Sequence, residues 1–181
     1  MLTQIDFSVL DFIAEHLKCS FLDTVMPLVT YTAEHGLMWI VVAAVLLIIP
    51  KTRKLGAMLG LSFLIGFLVG NLFLKNVVAR PRPYWIREEV ELLVPHLKDF
   101  SFPSGHTLVS FEAASVLLKK GPKRIGVAVL VLAVLVAFSR LYLYVHYPTD
   151  VLTSMVLGTA FGLFSCFLVE KAIETYQKKQ G

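Results

Sequence analysis

Residues 55–78 read LGAMLGLSFLIGFLVGNLFLKNVV, an uninterrupted apolar run in which Lys75 is the single charged side chain. About 20 helical residues cross the hydrocarbon core of a bilayer, because an α-helix rises about 1.5 Å per residue. The run is therefore long enough to span a membrane, and it predicts an all-α integral membrane protein.

The composition of the whole chain agrees with this prediction. The 181 residues are 56% hydrophobic and 17% charged, and the mean hydropathy is +0.72. Soluble domains are about half apolar and about a quarter charged, so a purely soluble protein is excluded. The apolar content also argues against disorder. Cys19 and Cys166 lie far apart in different contexts, which indicates neither a disulfide framework nor a zinc site.

Six segments have the length and apolar character of membrane helices, although the first is short and contains Pro27. They cover residues 21–34, 37–49, 55–78, 105–118, 125–143 and 149–173. The sequence thus predicts a six-helix bundle within one domain, 1–181, with the bundle at 20–175 and a polar loop at 79–103 on the outer face.

Residues 1–19 form a different kind of segment. Apolar residues recur there at near-helical spacing beside Asp6, Asp11 and Glu15, which predicts an amphipathic helix lying at the membrane interface. Because no basic region precedes this helix and no small-residue cleavage site follows it, we expect no removable signal peptide.

The distribution of basic residues predicts the orientation. The net charge is +4, but the positions of the charges are more informative than their sum. With both termini in the cytoplasm, 11 of the 17 Lys and Arg residues lie on the cytoplasmic side, as in most membrane proteins. The basic residues are divided between two faces and form no continuous stripe, so nucleic acid is not an expected partner.

Three polar clusters interrupt the apolar pattern at the outer-face ends of the third to sixth segments. They are Lys75 with Arg82-Pro83, then Pro103-Ser104-Gly105-His106, and finally Ser139-Arg140 with His146 and Asp150. Charged groups are costly in or near hydrocarbon, so their convergence on one side indicates a functional site.

The cations and the second cluster suit an anion such as phosphate. Lys75, Arg82 and Arg140 provide three positive charges, and a guanidinium matches the oxygens of a phosphoryl group. Ser104 stands at the N-cap position of the fourth segment, where free backbone N–H groups point at an anion. Gly105 has no side chain to block its approach.

The histidines add chemistry to this anion site. Pro148 is well placed as the first residue of the last helix, which puts Asp150 within reach of His146. Its carboxylate could fix one imidazole nitrogen as a donor and leave the other as a nucleophile. His106 is then the candidate general acid for the leaving group.

Other polar residues have simpler interpretations. We expect structural roles for His16, His35 and His96, and solvated loop or headgroup contacts for Arg80, Arg87 and Lys98. Asn71 is expected to cap or bridge helices. For Glu112 two roles are left open, a structural hydrogen bond and a supporting role at the site. A metal at His106, His146 and Asp150 is not expected, because three adjacent cations would repel it.

The three clusters together resemble the signature of the type 2 phosphatidic acid phosphatase (PAP2) superfamily of membrane lipid phosphatases, K-x6-RP, PSGH and SR-x5-H-x3-D. The resemblance implies that His146 forms a phosphohistidine, Asp150 orients it and His106 protonates the leaving group. It also implies that Lys75, Arg82, Ser104, Gly105 and Arg140 hold the phosphate, without a metal or other cofactor.

The resemblance also suggests candidate substrates and alternative functions. Similar compact bacterial proteins act on undecaprenyl pyrophosphate, phosphatidylglycerophosphate or phosphatidate, and an outward-facing site favours the first. Many dedicated undecaprenyl-pyrophosphate enzymes have PSDH and no motif lysine, so Lys75 and Gly105 leave a broader lipid-phosphate specificity open. A non-hydrolytic lipid-phosphate transporter is the alternative from another class, and haloperoxidase-like chemistry is a remote third. The oligomeric state is left open.

Overall fold

The computed structural model describes residues 2–179, so positions 1, 180 and 181 of the expected domain lie outside the described residues. Every regular element within this range is helical, which confirms the all-α prediction. The elements are α1 (Leu2–His16), α2 (Ser20–Tyr31), a 3-10 turn (Glu34–Gly36), α3 (Leu37–Ile48), α4 (Arg53–Ile65), a π-helical segment (Gly66–Leu74), α5 (Lys75–Val78), α6 (Pro83–Ile86), α7 (Gly105–Lys120), α8 (Lys123–Tyr142) and α9 (Pro148–Lys178).

Several of these helices have the character of membrane spans. By length and composition, four helical stretches of residues 2–179 could cross a membrane: Ser20–Ile48, Arg53–Ile86, Lys123–Tyr142 and Pro148–Lys178. The 16-residue α7 is shorter, and it packs closely against both α8 and α9. A Cβ atom at Gly158 of α9 would lie 2.5 Å from the carbonyl oxygen of Leu108, so this glycine permits the close contact between α7 and α9.

The two ends of the bundle differ in chemistry. At one end, termed the basic end, Lys54 and Lys120 donate hydrogen bonds to the Glu170 carboxylate at 3.3 and 2.5 Å. The lysines and arginines of the α3–α4 and α7–α8 turns lie at this end. At the opposite end, termed the site end, α5 and α8 terminate and α7 and α9 begin.

Helix α2 packs at the site end. The Tyr142 hydroxyl donates to Asp23 at 2.6 Å, and Arg140 donates to Thr30, so both halves of α2 contact the last turn of α8. The expected count of six spans is therefore not confirmed. Within residues 2–179, five helical runs connect the two ends: α3, α4 through α5, α7, α8 and α9.

Helix α1 packs at the site end as well, with Asp6 and Asp11 facing the protein and Glu15 exposed. Asp6 and Leu10 are buried, whereas Ile5, Val9 and Phe12 are exposed. The helix begins within the predicted segment 1–19. Because α9 runs away from the site end, residues 2 and 178 lie at opposite ends of the bundle, which disagrees with the expected placement of both termini on one face.

The run that predicted the membrane fold is not a uniform α-helix. Its centre, Gly66–Leu74, is π-helical, a wide turn that occurs frequently at functional sites. Here the helix passes Glu112 of α7, and a Cβ atom at Gly66 would lie 2.3 Å from Glu112 Oε1. The carboxyl group of Glu112 thus occupies space that a larger residue at position 66 would need.

Candidate active site

A cavity of about 890 Å³ opens at the site end of the bundle. Six of the eight predicted site residues line it: Lys75, Arg82, Gly105, His106, Arg140 and His146. The other two, Ser104 and Asp150, are fully buried and contact its wall. The structure therefore brings all three sequence clusters together, from helices that are distant in the chain.

Arg82 is held in position from several sides. It is 1% exposed, and its guanidinium donates to the Asp99 carbonyl and carboxylate at 2.8 and 2.7 Å and to the Val145 carbonyl at 2.8 Å. Lys75 forms an ion pair with the same Asp99 carboxylate. Asp99 thus links two of the three predicted phosphate-binding cations, although no motif in the sequence had indicated it.

Arg140 is also buried, but its contacts are incomplete. Its guanidinium donates to the Thr30 hydroxyl, while Nε has no hydrogen-bond partner among the described residues. Burying an unpaired cationic donor is costly. The side chain lines the cavity, so an anion bound there would satisfy it.

The start of α7 supplies backbone donors. Ser104 occupies the predicted N-cap position, although its hydroxyl contacts Thr107 Oγ1 at 3.0 Å instead of a backbone N–H. The first N–H groups of a helix have no partner within it and favour anions. A Cβ atom at Gly105 would lie 3.2 Å from Asn71 Oδ1, so this glycine keeps the cavity wall open. The expected capping or bridging role of Asn71 is not seen among the described residues, because its Oδ1 atom has no hydrogen-bond partner there and its side chain lines the cavity.

His146 is enclosed by its partners. It is 1% exposed; its Nε2 atom lies 3.2 Å from Arg82 Nη1, and its Nδ1 atom lies 3.4 Å from Ser101 Oγ. The Ser101 hydroxyl in turn donates to Asp150 Oδ2 at 2.5 Å. Since Ser101 gives its own proton to Asp150, it can accept the Nδ1 proton of His146, which leaves the Nε2 lone pair facing Arg82 and the cavity.

The contact between His146 and Asp150 differs from the predicted one. The Nδ1 and Oδ2 atoms are 3.8 Å apart, which is too long for a hydrogen bond. Ser101 connects the two residues, and Asp150 also accepts a hydrogen bond from the Tyr147 backbone at 3.1 Å. The carboxylate is therefore near the imidazole as expected, but a residue of the loop mediates the interaction.

The prediction of a solvated Arg80 was wrong. Its guanidinium donates to Asp150 Oδ1 and Asp6 Oδ2, both at 2.6 Å, and stacks over the Tyr147 ring at 3.7 Å. Asp6 also accepts hydrogen bonds from the Thr149 backbone and hydroxyl. Helix α1 is thereby connected to the carboxylate behind His146.

His106 has a carboxylate partner that the sequence had not indicated. Its Nε2 atom lies 3.1 Å from Glu34 Oε2, in the turn between α2 and α3. Glu34 was overlooked because it ended a predicted helix, and no motif marks it. Its side chain is 36% exposed, compared with 14% for His106, so this pair lies at the open side of the cavity.

The other histidines and basic residues of the outer-face region make local contacts. His16 contacts the Phe12 carbonyl at 3.1 Å, and His96 packs edge-to-face on Tyr84 at 5.2 Å. Arg87 forms an ion pair with Asp11 at 2.6 Å. The two others, His35 and Lys98, are exposed beside the cavity.

The electrostatics of the loop residues are set by burial and by the cations. Burial of His146, together with the charges of Arg82 and Arg140, lowers the imidazole pKa well below its usual value. Burial alone would raise the pKa of Asp99, but hydrogen bonds from Lys75 and the charge of Arg82 hold it below its usual range. Burial raises the pKa of Tyr147 to about 12. At neutral pH the site thus combines a neutral imidazole with a cationic wall.

Within residues 2–179, no group of three or more His, Cys, Asp or Glu residues is arranged to hold a metal ion. The arrangement instead offers a cationic pocket, one buried imidazole whose Nε2 atom faces Arg82 and the cavity, and a second imidazole paired with a carboxylate. These groups can bind an oxyanion, attack it and transfer a proton.

Comparisons with known proteins agree with this arrangement. The model of the PAP2 superfamily matches residues 51–174. The undecaprenyl-diphosphatase of Sulfolobus acidocaldarius is 38% identical over 144 residues, which cover 78% of this chain and 69% of that protein.

Two solved structures are also similar. Aquifex aeolicus LpxE has a TM-score of 0.78 and 28% identity, and the match covers 89% of this chain and 94% of that one. The transmembrane PAP2-type phosphatidylglycerolphosphate phosphatase of Bacillus subtilis has a TM-score of 0.74 and 30% identity, with 96% and 86% covered.

Proposed function

The chain belongs to the PAP2 superfamily, and we propose that it is a membrane lipid phosphatase that hydrolyses a lipid diphosphate or phosphomonoester. The observation that carries the proposal is the single cavity lined by His146, His106 and the three cations of the motifs. A site that only bound headgroups would not need two histidines, each beside its own carboxylate.

The proposed reaction has two steps. The Nε2 atom of His146 attacks the phosphorus, and the bond to the leaving oxygen breaks as that oxygen takes a proton from His106. The neutral His106 then removes a proton from water, which attacks the phosphohistidine and releases inorganic phosphate with a free His146. Lys75, Arg82, Arg140 and the first N–H groups of α7, next to Ser104 and Gly105, stabilise the charge on the transferred group.

Undecaprenyl pyrophosphate is the proposed substrate. The undecaprenyl-diphosphatase relative supports it, and the cavity has apolar walls of Ile40, Phe63, Phe67 and Leu108 below the cations. The Bacillus structural neighbour favours phosphatidylglycerophosphate as the alternative. Both ligands combine a phosphate head with long apolar chains.

The proposed orientation places the site end at the outer face and the basic end in the cytoplasm. Ten of the 17 Lys and Arg residues lie at the basic end, in agreement with the positive-inside rule. In this arrangement the carboxyl terminus is cytoplasmic, and α1 lies at the outer interface with its apolar face toward lipid. The whole range 1–181 forms one domain.

The decisive experiment is phosphate release by detergent-purified protein in the presence of EDTA. Undecaprenyl pyrophosphate, phosphatidylglycerophosphate and phosphatidate are tested in parallel, with His146→Ala as control. We expect release that depends on His146, fastest with undecaprenyl pyrophosphate. Release unaffected by His146→Ala would refute the assignment of the nucleophile, and no release from the three lipids would favour the transport alternative.

A further inference from the structure

The general acid of the proposed reaction, His106, is paired with a residue outside the three motifs. Its Nε2 atom lies 3.1 Å from Glu34 Oε2, and Nδ1 makes no hydrogen bond to any described residue. The ring lines the cavity together with Arg140 and His146. One nitrogen is thus held by a carboxylate, and the other is available to substrate.

The backbone around Glu34 is shaped for this contact. Residues His35 and Gly36 have φ angles of 49° and 66°, in the left-handed region that is uncommon for residues other than glycine, although histidine enters it more often than most. A Cβ atom at Gly36 would lie 3.4 Å from Val109 Cγ2, so the turn lies directly on α7, one helical turn from His106. Non-glycine residues retain such conformations mainly at functional sites.

The other neighbours of Glu34 do not account for its position. Oε1 lies 3.5 Å from Nε2 of His35, whose side chain is 89% exposed, and an exposed pair of this kind contributes little to stability. The more buried partner of the glutamate is His106. A structural purpose alone would not require a carboxylate at the open side of a cationic cavity.

We propose that Glu34 is the positioning residue of the general acid. It accepts the Nε2 proton of His106, which directs Nδ1–H at the oxygen of the leaving group and favours the protonated ring through its negative charge. When the bond between phosphorus and this oxygen breaks, the Nδ1 proton moves to the oxygen and the Nε2 proton stays with the imidazole beside Glu34. This inference rests on the proposed phosphatase activity and extends it to a residue of the α2–α3 turn.

The proposal predicts a dependence on the leaving group. An alkoxide needs a proton when it departs, whereas p-nitrophenolate and the phosphate end of a lipid diphosphate depart as stable anions. Loss of Glu34 should therefore impair alkyl phosphates most. A residue that only supported the fold would affect all substrates equally.

The test compares kcat/KM of the purified protein for dodecyl phosphate and for p-nitrophenyl phosphate, because kcat/KM reports the transfer to His146 and not the later attack of water. The variants are Glu34→Gln, Glu34→Asp, His106→Asn and the double variant Glu34→Gln/His106→Asn. Glu91→Gln is the matched control, since this glutamate is exposed in the loop on the same end of the protein.

For Glu34→Gln we expect a loss on the order of ten- to a hundredfold with dodecyl phosphate, within the usual contribution of general acid catalysis, and less than about threefold with p-nitrophenyl phosphate. Glu34→Asp should retain more activity than Glu34→Gln, and the double variant should be no slower than His106→Asn alone.

Equal losses on both substrates, or losses that multiply in the double variant, would overturn the proposal while leaving the phosphatase assignment intact. Failure of the wild-type protein to release phosphate from either substrate would instead contradict the proposed function. If Glu34→Gln unfolds, Glu34→Asp decides, because a selective loss on dodecyl phosphate supports the inference and a uniform loss refutes it.

Discussion

The two histidines of the site have opposite surroundings. His146 is 1% exposed and is fixed by Arg82, Ser101 and the Asp150 carboxylate, which Arg80 connects to α1. His106 faces the open side of the cavity, where its partner Glu34 is 36% exposed. In the proposed reaction this difference suits the two roles, because an enclosed His146 is held in one orientation for attack, whereas His106 lies where a departing lipid can take its proton.

The largest expected effect separates the two roles directly. With p-nitrophenyl phosphate, His106→Ala should release about one nitrophenolate per active site in a burst and then turn over slowly, because attack needs no acid but hydrolysis of the phosphohistidine needs a base. His146→Ala should show neither burst nor turnover. Stopped-flow absorbance measures both. A burst in His146→Ala would show that the phosphate is transferred to another residue.

The enclosure of His146 is tested by Arg80→Met. The change leaves Asp150 and Asp6, which are 0% and 1% exposed, without their cation. Breaking such a pair costs about 3 kcal/mol, and we expect activity to fall on the order of a hundredfold as Asp150 moves. Thermal unfolding and phosphate release measure the two effects.

Arg87→Met is the matched control for this change. Arg87 also pairs with an aspartate of α1, Asp11, but both side chains are about one-third exposed, so its loss should cost less than about 1 kcal/mol. Equal destabilisation by the two variants would contradict the difference between the buried and the exposed connection.

A smaller effect is expected for Ser101→Ala. The hydroxyl connects His146 to Asp150, whose atoms are otherwise 3.8 Å apart. Its removal should lower kcat about tenfold, the scale of one hydrogen bond to a charged group, and leave KM unchanged. Steady-state kinetics provides the measurement, and an unaltered kcat would mean that Asp150 reaches His146 without help.

The smallest expected effect concerns protonation. Burial and three nearby cations lower the pKa of His146, so its NMR titration should have a midpoint below 6.5, identified by comparison with His146→Gln. The unfolded chain binds this proton more readily than the folded protein. Stability should therefore rise with pH between the folded-state pKa and about 6.5, and a midpoint above 6.5 would refute the cationic environment.

The sequence predicts those residues of the site that belong to local motifs, and it does not predict those that reach the site through tertiary contacts. Lys75, Arg82 and the two histidines follow from the fixed spacings of the three motifs, and the structure brings them into one cavity. Ser101 and Asp99 lie in a loop without regular period, and Arg80 was indistinguishable from a solvated loop residue. Their roles depend on tertiary contacts that no local pattern encodes.

Local sequence patterns also predicted only part of the fold. Apolar runs predicted the long helices of 53–178 to within about five residues, because periodicity and turn residues act locally, but the short helix α6 had been assigned to the loop. The apolar runs could not show that α2 packs across the site end. An apolar helix of 12 residues can belong to a membrane span or can cover the end of a bundle. The π-helical segment was equally invisible, because no motif in the apolar run marks it; Gly66 at its start packs against Glu112 of a different helix.

The contact between Asp6 and Thr149 also determines the order of assembly. These residues are 143 positions apart, so α1 cannot make this contact until the start of α9 has been synthesised. Contacts so distant in sequence form late in folding. A chain that lacks α9 therefore lacks this partner of Asp6, and α1 cannot dock on it.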